Sequence, residues 1–375
     1  MYLENIVYNN HTDYSFFILE NIFNMNTRRL KKALKRLSKL PKNRYLFSYL
    51  KNKAIHFALK MKKSTKVAYP STIMLELTNK CNLSCTTCAR EYEYGKQMNQ
   101  GVMAENQAKK IIDELWCYLD SVGLTGMGET FLYPNMKNIV DYIKSKNKGI
   151  IISVSTNAMI PNFIEQVTPL VGLIDTIQVS IDGLGEVYES IRKRAKFERL
   201  QSNLEMLAKM CKNTQTSVMM NMVVTKENYH QMADLVKFAK KIGIKYMDFT
   251  MFNLAAVTQI DKSYYNFYKS SEFLTALHSL KEMQKQVNEV VVNYHSFDTN
   301  HNFQACPFPW GHFYICWDGY VTPCCAKPFP KELHFGNVFD SSVIEVLNDE
   351  PYRKWRTRWL NNQTPDFCDK CHFTA

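Results

Sequence analysis

The sequence predicts an α/β fold in which six parallel strands form an incompletely closed barrel, followed by a small cysteine-rich unit. Between residues 71 and 252, six short β-rich runs alternate with helical stretches, and such alternation builds a parallel sheet. Residues 291–375 contain six of the 11 cysteines, too many for an ordinary domain of that length. We therefore divide the chain into a basic helical extension (1–70), a partial barrel (71–290) and a cysteine-rich unit (291–375).

The N-terminal extension carries most of the positive charge of the chain. No acidic residue occurs from Asn21 to Leu75, where 15 of the 47 Lys and Arg lie. The rest of the chain contains 32 basic and 35 acidic residues, so its charge is nearly balanced. Residues 27–40 place leucine and alanine at helical spacing, which predicts an amphipathic basic helix that Pro41 ends. We expect it to pack on the body, or else residues 27–66 to contact a membrane surface, a nucleic acid or a partner.

The N-terminus does not resemble a signal peptide, because it lacks a basic start and a small-residue cleavage site. No apolar run approaches the ~18 residues that a transmembrane helix needs. We therefore predict a cytoplasmic protein without a transmembrane segment. In that compartment clustered cysteines bind metal or react more often than they form disulfides.

The predicted strands are largely apolar, which suits burial on both faces of a parallel sheet. They span 72–77, 121–126, 149–156, 176–182, 217–225 and 245–252. Helical patterns cover 103–119, 226–243 and 271–288. In barrels of this kind the chemistry lies on the loops after the strands. The suggestive residues fall on those loops: Cys81, Gly128, Glu129, Asn157, Asp182 and Gly183.

Three cysteines follow the first strand within eight residues: Cys81, Cys85 and Cys88. Thiolates are soft ligands that suit zinc or iron–sulfur clusters. A structural zinc site normally takes four protein ligands. Three ligands on a four-iron cluster leave one iron open, and an open metal position is typical of a catalytic site.

The C-terminal unit supplies a second set of four thiols. Twelve residues separate Cys306 from Gly319, and four separate Gly319 from Cys324. Cys368 and Cys371 form a C-x2-C pair. Four thiolates complete the ligand shell of an iron–sulfur cluster. Spacing alone does not exclude a four-cysteine zinc site. Cys325 adjoins Cys324 and could substitute for it as a ligand, but we expect its side chain to point elsewhere.

The C-x3-C-x2-C motif after a strand, within "LTNKCNLSC", resembles the radical S-adenosylmethionine (AdoMet) superfamily over residues 71–375. "GMGET" (126–130), "STN" (155–157), "VSIDG" (179–183) and "IRKRAKFE" (191–198) resemble later family motifs in the same order. Met127 and Thr130 depart from the usual Gly and Pro of the second motif. The C-terminal pattern resembles the short "twitch" form of the SPASM extension, which implies one auxiliary cluster.

The resemblance implies a partial TIM-like (βα)6 barrel that carries two 4Fe–4S clusters and binds AdoMet. The first cluster would be bound by Cys81, Cys85 and Cys88, and the auxiliary cluster by Cys306, Cys324, Cys368 and Cys371. AdoMet contacts would fall to Gly126, Gly128, Glu129, Asn157, Ser180 and Arg192. The cluster ligands aside, no catalytic residue is assigned.

The implied reaction is reductive cleavage of AdoMet to a 5′-deoxyadenosyl radical, which abstracts a substrate hydrogen atom. Oxidation must release a second electron, which an auxiliary cluster could accept. Epimerisation needs a hydrogen donor, for which Cys316 and Cys325 are poor candidates. We therefore expect an oxidoreductase acting on a small polar, sugar- or alcohol-like substrate, with a flavodoxin- or ferredoxin-type reductant. The alternative is radical modification of a peptide, and a remote one is a zinc-bound nucleic-acid module.

Overall fold

A computed structural model describes residues 44–294, 297, 303, 306 and 308–374. Their core is a nine-stranded sheet in the order β11-β10-β1-β3-β4-β5-β7-β8-β9, parallel throughout except for the β10–β11 pair. The strands of this sheet are β1 Thr72–Leu75, β3 Ser121–Leu124, β4 Ile151–Thr156, β5 Thr176–Ser180, β7 Ser217–Val224, β8 Tyr246–Met251, β9 Val291–Asn293, β10 Phe313–Ile315 and β11 Val321–Thr322. Two further strands, β2 Ser84–Cys85 and β6 Arg192–Lys193, form a separate antiparallel pair.

All six strands predicted for the barrel are present, which confirms the predicted fold class. Their two faces differ, however. Ile73, Val122 and Ile152 lie side by side in register, and each is completely buried. The alternate positions of the central strands carry polar side chains, among them Ser153 and Gln178. The prediction of strands apolar on both faces is therefore wrong, because one face packs on helices and the other lines a polar barrel interior.

Helices cover the outer face of the sheet. They are α1 Arg44–Met61, α2 Glu93–Lys96, α3 Glu105–Leu115, α4 Met136–Lys146, α5 Phe163–Val167, α6 Gly185–Ile191, α7 Phe197–Cys211, α8 Met232–Ile242, α9 Ser271–Gln286, α10 Val343–Asn348 and α11 Glu350–Leu360. The predicted helical stretches correspond to α3, α8 and α9. Gly243, at φ +80°, ends α8 in the left-handed conformation that glycine adopts without strain.

The C-terminal segment shares the sheet with the barrel. β10 pairs in parallel with β1, on the side opposite β3. Buried Arg356 of α11 donates hydrogen bonds to the carbonyls of Pro309 (2.6 Å), Leu347 (2.7 Å) and Thr65 (3.0 Å). It thereby ties the C-terminal helices to the chain that leads into β1.

The predicted basic helix at 27–40 lies outside the described residues. Of the basic segment, the structure describes α1 and the chain that follows it. Among the residues that the structure describes, no helix is both long and apolar enough to cross a bilayer.

Candidate functional site

The three N-terminal cysteines lie on one ordered loop at the carboxyl end of β1. Cys85 belongs to β2, where it pairs with Arg192 of β6. The amide of Cys88 donates to the carbonyl of Cys85 at 3.0 Å, and a 3-10 turn follows from Ala89 to Glu91. The backbone thus gathers the three thiols on one side of the loop, close enough for each to affect another's ionisation.

The thiols of these three cysteines stay protonated unless a bound metal displaces the protons. Burial raises the pKa of Cys81, Cys85 and Cys88, and that of Cys85 reaches about 12. The neighbouring thiols raise the pKa of Cys85 further, whereas the guanidinium of Arg192 opposes the shift. A metal ligand must be deprotonated, so binding of a metal here would release protons.

Two side chains from later strands reach this loop. The Nη1 of Arg192 lies 3.9 Å from the Sγ of Cys85, and its Nη2 forms a 2.8 Å ion pair with completely buried Asp182. The Nδ2 of Asn157 lies 3.8 Å from the Sγ of Cys81 and donates to Asn82 at 2.9 Å. Donors of this kind stabilise sulfur that carries negative charge.

The glycine-rich loop after β3 packs directly against the cysteine loop. A Cβ on Gly128 would lie 2.4 Å from the carbonyl oxygen of Lys80 and 2.6 Å from that of Thr78. A Cβ on Gly126 would overlap the side chain of Glu76. Gly128 therefore allows two backbone segments to approach closely, and Gly126 leaves room for the side chain of Glu76.

Glu129 lies at the base of this loop with its carboxylate buried. It accepts hydrogen bonds from the amide of Asn157 (2.6 Å), the hydroxyl of Thr156 (2.7 Å) and the amide of Phe131 (3.2 Å). Burial raises its pKa, and these hydrogen bonds oppose the shift. A carboxylate offers about four lone-pair sites, so one remains for a further donor such as an ammonium group. Ser180, also predicted here, ends β5 in register with Asn221.

Sequence reasoning missed Glu76, which is 2% exposed. Its carboxylate accepts from the amide of Met127 at 2.7 Å, the hydroxyl of Tyr314 at 2.8 Å and the amide of Trp317 at 3.3 Å. It therefore joins the glycine-rich loop to the C-terminal segment. The sequence signal that could have identified Glu76 is the single carboxylate within the apolar run "TIMLEL".

Arg90 is a second residue that sequence reasoning missed. Its Nη1 donates to the carbonyl of Asn79 and lies 3.5 Å from the carbonyl of Met127. It therefore links the cysteine loop to the glycine-rich loop. No motif in the sequence marked it.

The four C-terminal cysteines of the predicted second set converge as well. Burial and, to a smaller extent, the charges of neighbouring thiols in the set together raise the pKa of Cys306 and of Cys324 to about 12. Burial likewise raises the pKa of Cys368 and Cys371. Asn253, on the loop after β8, places its Nδ2 3.8 Å from the Sγ of Cys371. The array thus contacts the mouth of the barrel.

Cys325 lies within electrostatic reach of this array. After burial, the charges of Cys324, Cys306 and Cys371 contribute to raising its pKa. That its side chain points away from the cluster stays a prediction.

The donor sets of both groups fit iron–sulfur clusters. Thiolates are the soft ligands that such clusters use, and each iron of a cluster takes its own ligand. Within the described part of the chain, no three His, Cys, Asp or Glu side chains lie close enough together to hold a single metal ion.

A cavity of about 220 Å³ opens beside the glycine-rich loop, between Met127 and the C-terminal segment. Its wall combines aromatic and apolar side chains with polar and charged ones, which are Glu76, Asn79, Asn99, Asp318, Lys331 and His334. The apolar lining includes Tyr94, Met98, Trp317 and Phe329. The cavity can accept an apolar or aromatic group next to the predicted AdoMet site.

Fold and site together define a metal-cluster enzyme built on a partial barrel. Comparison with family models names the class: the model of the radical SAM superfamily matches residues 75–239, and that of the SPASM iron–sulfur cluster-binding domain matches residues 306–372. The chain belongs to the radical SAM superfamily and carries a SPASM domain. Its cofactors are 4Fe–4S clusters and AdoMet. A zinc-bound nucleic-acid module finds no support in these matches.

Two curated relatives span most of this chain. It is 23% identical over 341 residues to the antilisterial bacteriocin subtilosin biosynthesis protein AlbA of Bacillus subtilis, covering 87% of this chain and 70% of AlbA. It is also 23% identical over 330 residues to the tungsten-containing aldehyde ferredoxin oxidoreductase cofactor-modifying protein of Pyrococcus furiosus, covering 80% and 86%.

Solved structures of SuiB from Streptococcus suis share the fold. The complex with S-adenosylmethionine superposes with a TM-score of 0.63 at 17% identity, over 95% of this chain and 83% of SuiB. The complex with the precursor peptide SuiA gives a TM-score of 0.62 at 17% identity, over 96% and 83%. This likeness confirms the radical SAM fold predicted from the sequence.

Proposed function

We propose that this protein uses radical AdoMet chemistry to modify a peptide substrate. The observation that carries the proposal is the shared fold with SuiB, which has been solved with its precursor peptide SuiA. AlbA, a bacteriocin biosynthesis protein, supports it from sequence. The proposal replaces a small sugar- or alcohol-like substrate as the leading hypothesis.

We assign the AdoMet-binding cluster to Cys81, Cys85 and Cys88, because their loop offers three buried thiols and no fourth ligand of its own. We assign the auxiliary cluster to Cys306, Cys324, Cys368 and Cys371. Residues 71–290 then form the catalytic core and residues 291–375 the auxiliary unit. Bound together, the cluster and AdoMet supply the radical that abstracts a hydrogen atom from the substrate.

The chain's own residues bind and orient these groups. The free lone-pair site of Glu129 would accept a hydrogen bond from the amino group of AdoMet, next to the close-packed backbone at Gly126 and Gly128. Asn157 and Ser180 end β4 and β5 on the polar side of the barrel, where the ribose would lie. Arg192 would place its positive charge near the carboxylate of AdoMet while its ion pair with Asp182 fixes the guanidinium.

The cavity beside Met127 can bind a side chain of a peptide. Tyr94, Met98, Trp317 and Phe329 in its lining suit an apolar or aromatic group, because such walls gain by burying hydrocarbon. The charges of Asp318 and Lys331 can pair with flanking peptide groups.

Deuterium transfer tests the substrate class. The reconstituted holoenzyme, with AdoMet and dithionite, is given either a perdeuterated peptide pool or a perdeuterated sugar pool, and 5′-deoxyadenosine is examined by mass spectrometry. We expect deuterium in 5′-deoxyadenosine with the peptide pool. Deuterium from the sugar pool alone would restore the small-molecule hypothesis. Flavodoxin and ferredoxin replace dithionite in a second series that tests the proposed reductant.

A further inference from the structure

The outer face of α1 carries aligned apolar side chains that are exposed. Phe47 is 70% exposed, Leu50 54%, Phe57 52% and Met61 69%. Ala54 and Ala58 are also exposed. Phe47, Leu50, Ala54, Phe57 or Ala58, and Met61 follow one another at intervals of three or four residues. We call these six residues the apolar stripe. It is about 21 Å long at the rise of an α-helix. Single exposed apolar side chains are ordinary, but a continuous row marks an interaction surface.

The opposite face of α1 is fixed to the body of the protein. The side chain of Asn52 donates to the carbonyl of Tyr69 at 2.9 Å and accepts from its amide at 3.1 Å. The hydroxyl of Tyr49 donates to Asp120 at 2.6 Å, and Lys53 pairs with the same carboxylate at 2.8 Å. These bonds orient the helix, so the apolar stripe cannot rotate inward without breaking them.

The charge around the apolar stripe has one sign. α1 contains no acidic residue, and exposed Lys51, Lys62 and Lys63 lie beside the stripe or just beyond it. The whole stretch from Asn21 to Leu75 lacks an acidic residue. The complementary partner is therefore anionic and also able to bury hydrocarbon.

We propose that α1 docks on an anionic lipid bilayer, lying flat with the apolar stripe in the acyl boundary and its lysines at the lipid phosphates. Exposed apolar side chains flanked by lysines bind anionic bilayers in this manner. A nucleic acid would neutralise the lysines but leave the apolar stripe in water. Residues 27–40 carry seven basic residues and no acidic one. Packing them on α1 would bring like charges together.

The position of α1 sets the orientation of the docked enzyme. Tyr69 and Asp120, which anchor the helix, immediately precede β1 and β3. They mark the edge of the sheet where the strands begin. The cysteine loops lie at the opposite edge, where the strands end. The docked enzyme therefore presents its site away from the bilayer, toward the aqueous phase.

Vesicle flotation of the full chain tests this proposal. One set of vesicles is phosphatidylcholine alone, and the other contains about one quarter phosphatidylglycerol. The test variant is Phe47→Ser/Leu50→Ser/Phe57→Ser. The matched control is Met206→Ser/Leu274→Ser/Leu360→Ser, which removes three comparably exposed apolar side chains from other helices. Circular dichroism and AdoMet cleavage check that each variant is folded.

We expect the wild type and the control to float with the anionic vesicles and to release at high salt. The test variant should lose about tenfold or more in partitioning, because burial of each large apolar side chain contributes on the order of 1 kcal/mol or more. Equal partitioning of test and control variants would overturn the proposal. So would wild-type binding to duplex DNA or to an acidic protein without binding to the anionic vesicles.

Discussion

The two cysteine sites differ in how the chain assembles them. Cys81, Cys85 and Cys88 come from one loop of eight residues, whereas the C-terminal array draws on three segments at 306, 324 and 368–371. The first array is fixed by local backbone hydrogen bonds and the β2–β6 pair. The second requires the β10–β11 extension of the sheet and the loop after β8. A site on one loop can be found from spacing, but a site built from distant segments needs the tertiary fold.

The surroundings of the two arrays differ as well. Arg192 and Asn157 reach the first array from neighbouring strands. The second array has one thiol more than a cluster requires, since Cys325 lies beside Cys324. This comparison gives four predictions, taken from the largest expected effect to the smallest.

Cys324→Ala should remove about four irons, because it takes one ligand from a cluster that needs four. Cys325→Ala should keep them, because the spacing of four residues after Gly319 assigns the ligand to Cys324. Iron and sulfide are counted after anaerobic reconstitution of both variants. Retention of all iron in Cys324→Ala would show that Cys325 serves as ligand in its place.

Gly128→Ala should impair AdoMet cleavage and destabilise the protein by about 1–3 kcal/mol, because its Cβ would collide with two backbone carbonyls. Gly123→Ala is the matched control, since its Cβ would meet nothing closer than 3.6 Å. Denaturant unfolding and the rate of 5′-deoxyadenosine formation are measured for both. Equal effects of the two changes would contradict the close packing of the two loops.

Arg192→Lys should lower AdoMet cleavage about tenfold. The planar guanidinium of Arg192 contacts Asp182 and approaches Cys85 simultaneously, whereas the single ammonium group of a lysine cannot do both. The iron content should stay unchanged. Exposed Arg194→Lys, two residues away, is the control. A decrease in KM for AdoMet, or equal rates in the two variants, would argue against a role near the first array.

Glu76→Gln should change the pH dependence of stability. Burial raises the pKa of Glu76 in the folded state, so its contribution to stability is full below the unfolded pKa and falls as the pH rises through the folded one. Glutamine does not titrate. The stability of the variant relative to the wild type should therefore improve as the pH rises above the ordinary pKa of a glutamate, as measured by urea unfolding. A constant difference would contradict the raised pKa.

The sequence was informative where a signal was local and repeated. All six barrel strands were predicted, because each is a short β-rich run followed by a helical pattern. Their ends were less accurate: the first strand stops at Leu75, two residues before its predicted end. The residues beyond it, including Glu76, leave the strand to form the site.

The features that escaped prediction depend on contacts between distant segments. β10 and β11 have three and two residues, too few to show a periodic pattern. Glu76 gains its role only because Tyr314 and Trp317 fold back beside β1. None of these pairings leaves a mark in the local sequence.

The most direct test of the account compares the two arrays in one experiment. Cys81→Ala/Cys85→Ala/Cys88→Ala and Cys368→Ala/Cys371→Ala are reconstituted anaerobically beside the wild type, and iron and 5′-deoxyadenosine are measured. We expect about eight irons in the wild type and about four in each variant, with AdoMet cleavage lost only in the first. Cleavage that survives loss of the first array, or iron that falls equally to zero in both variants, would contradict two independent clusters with separate roles.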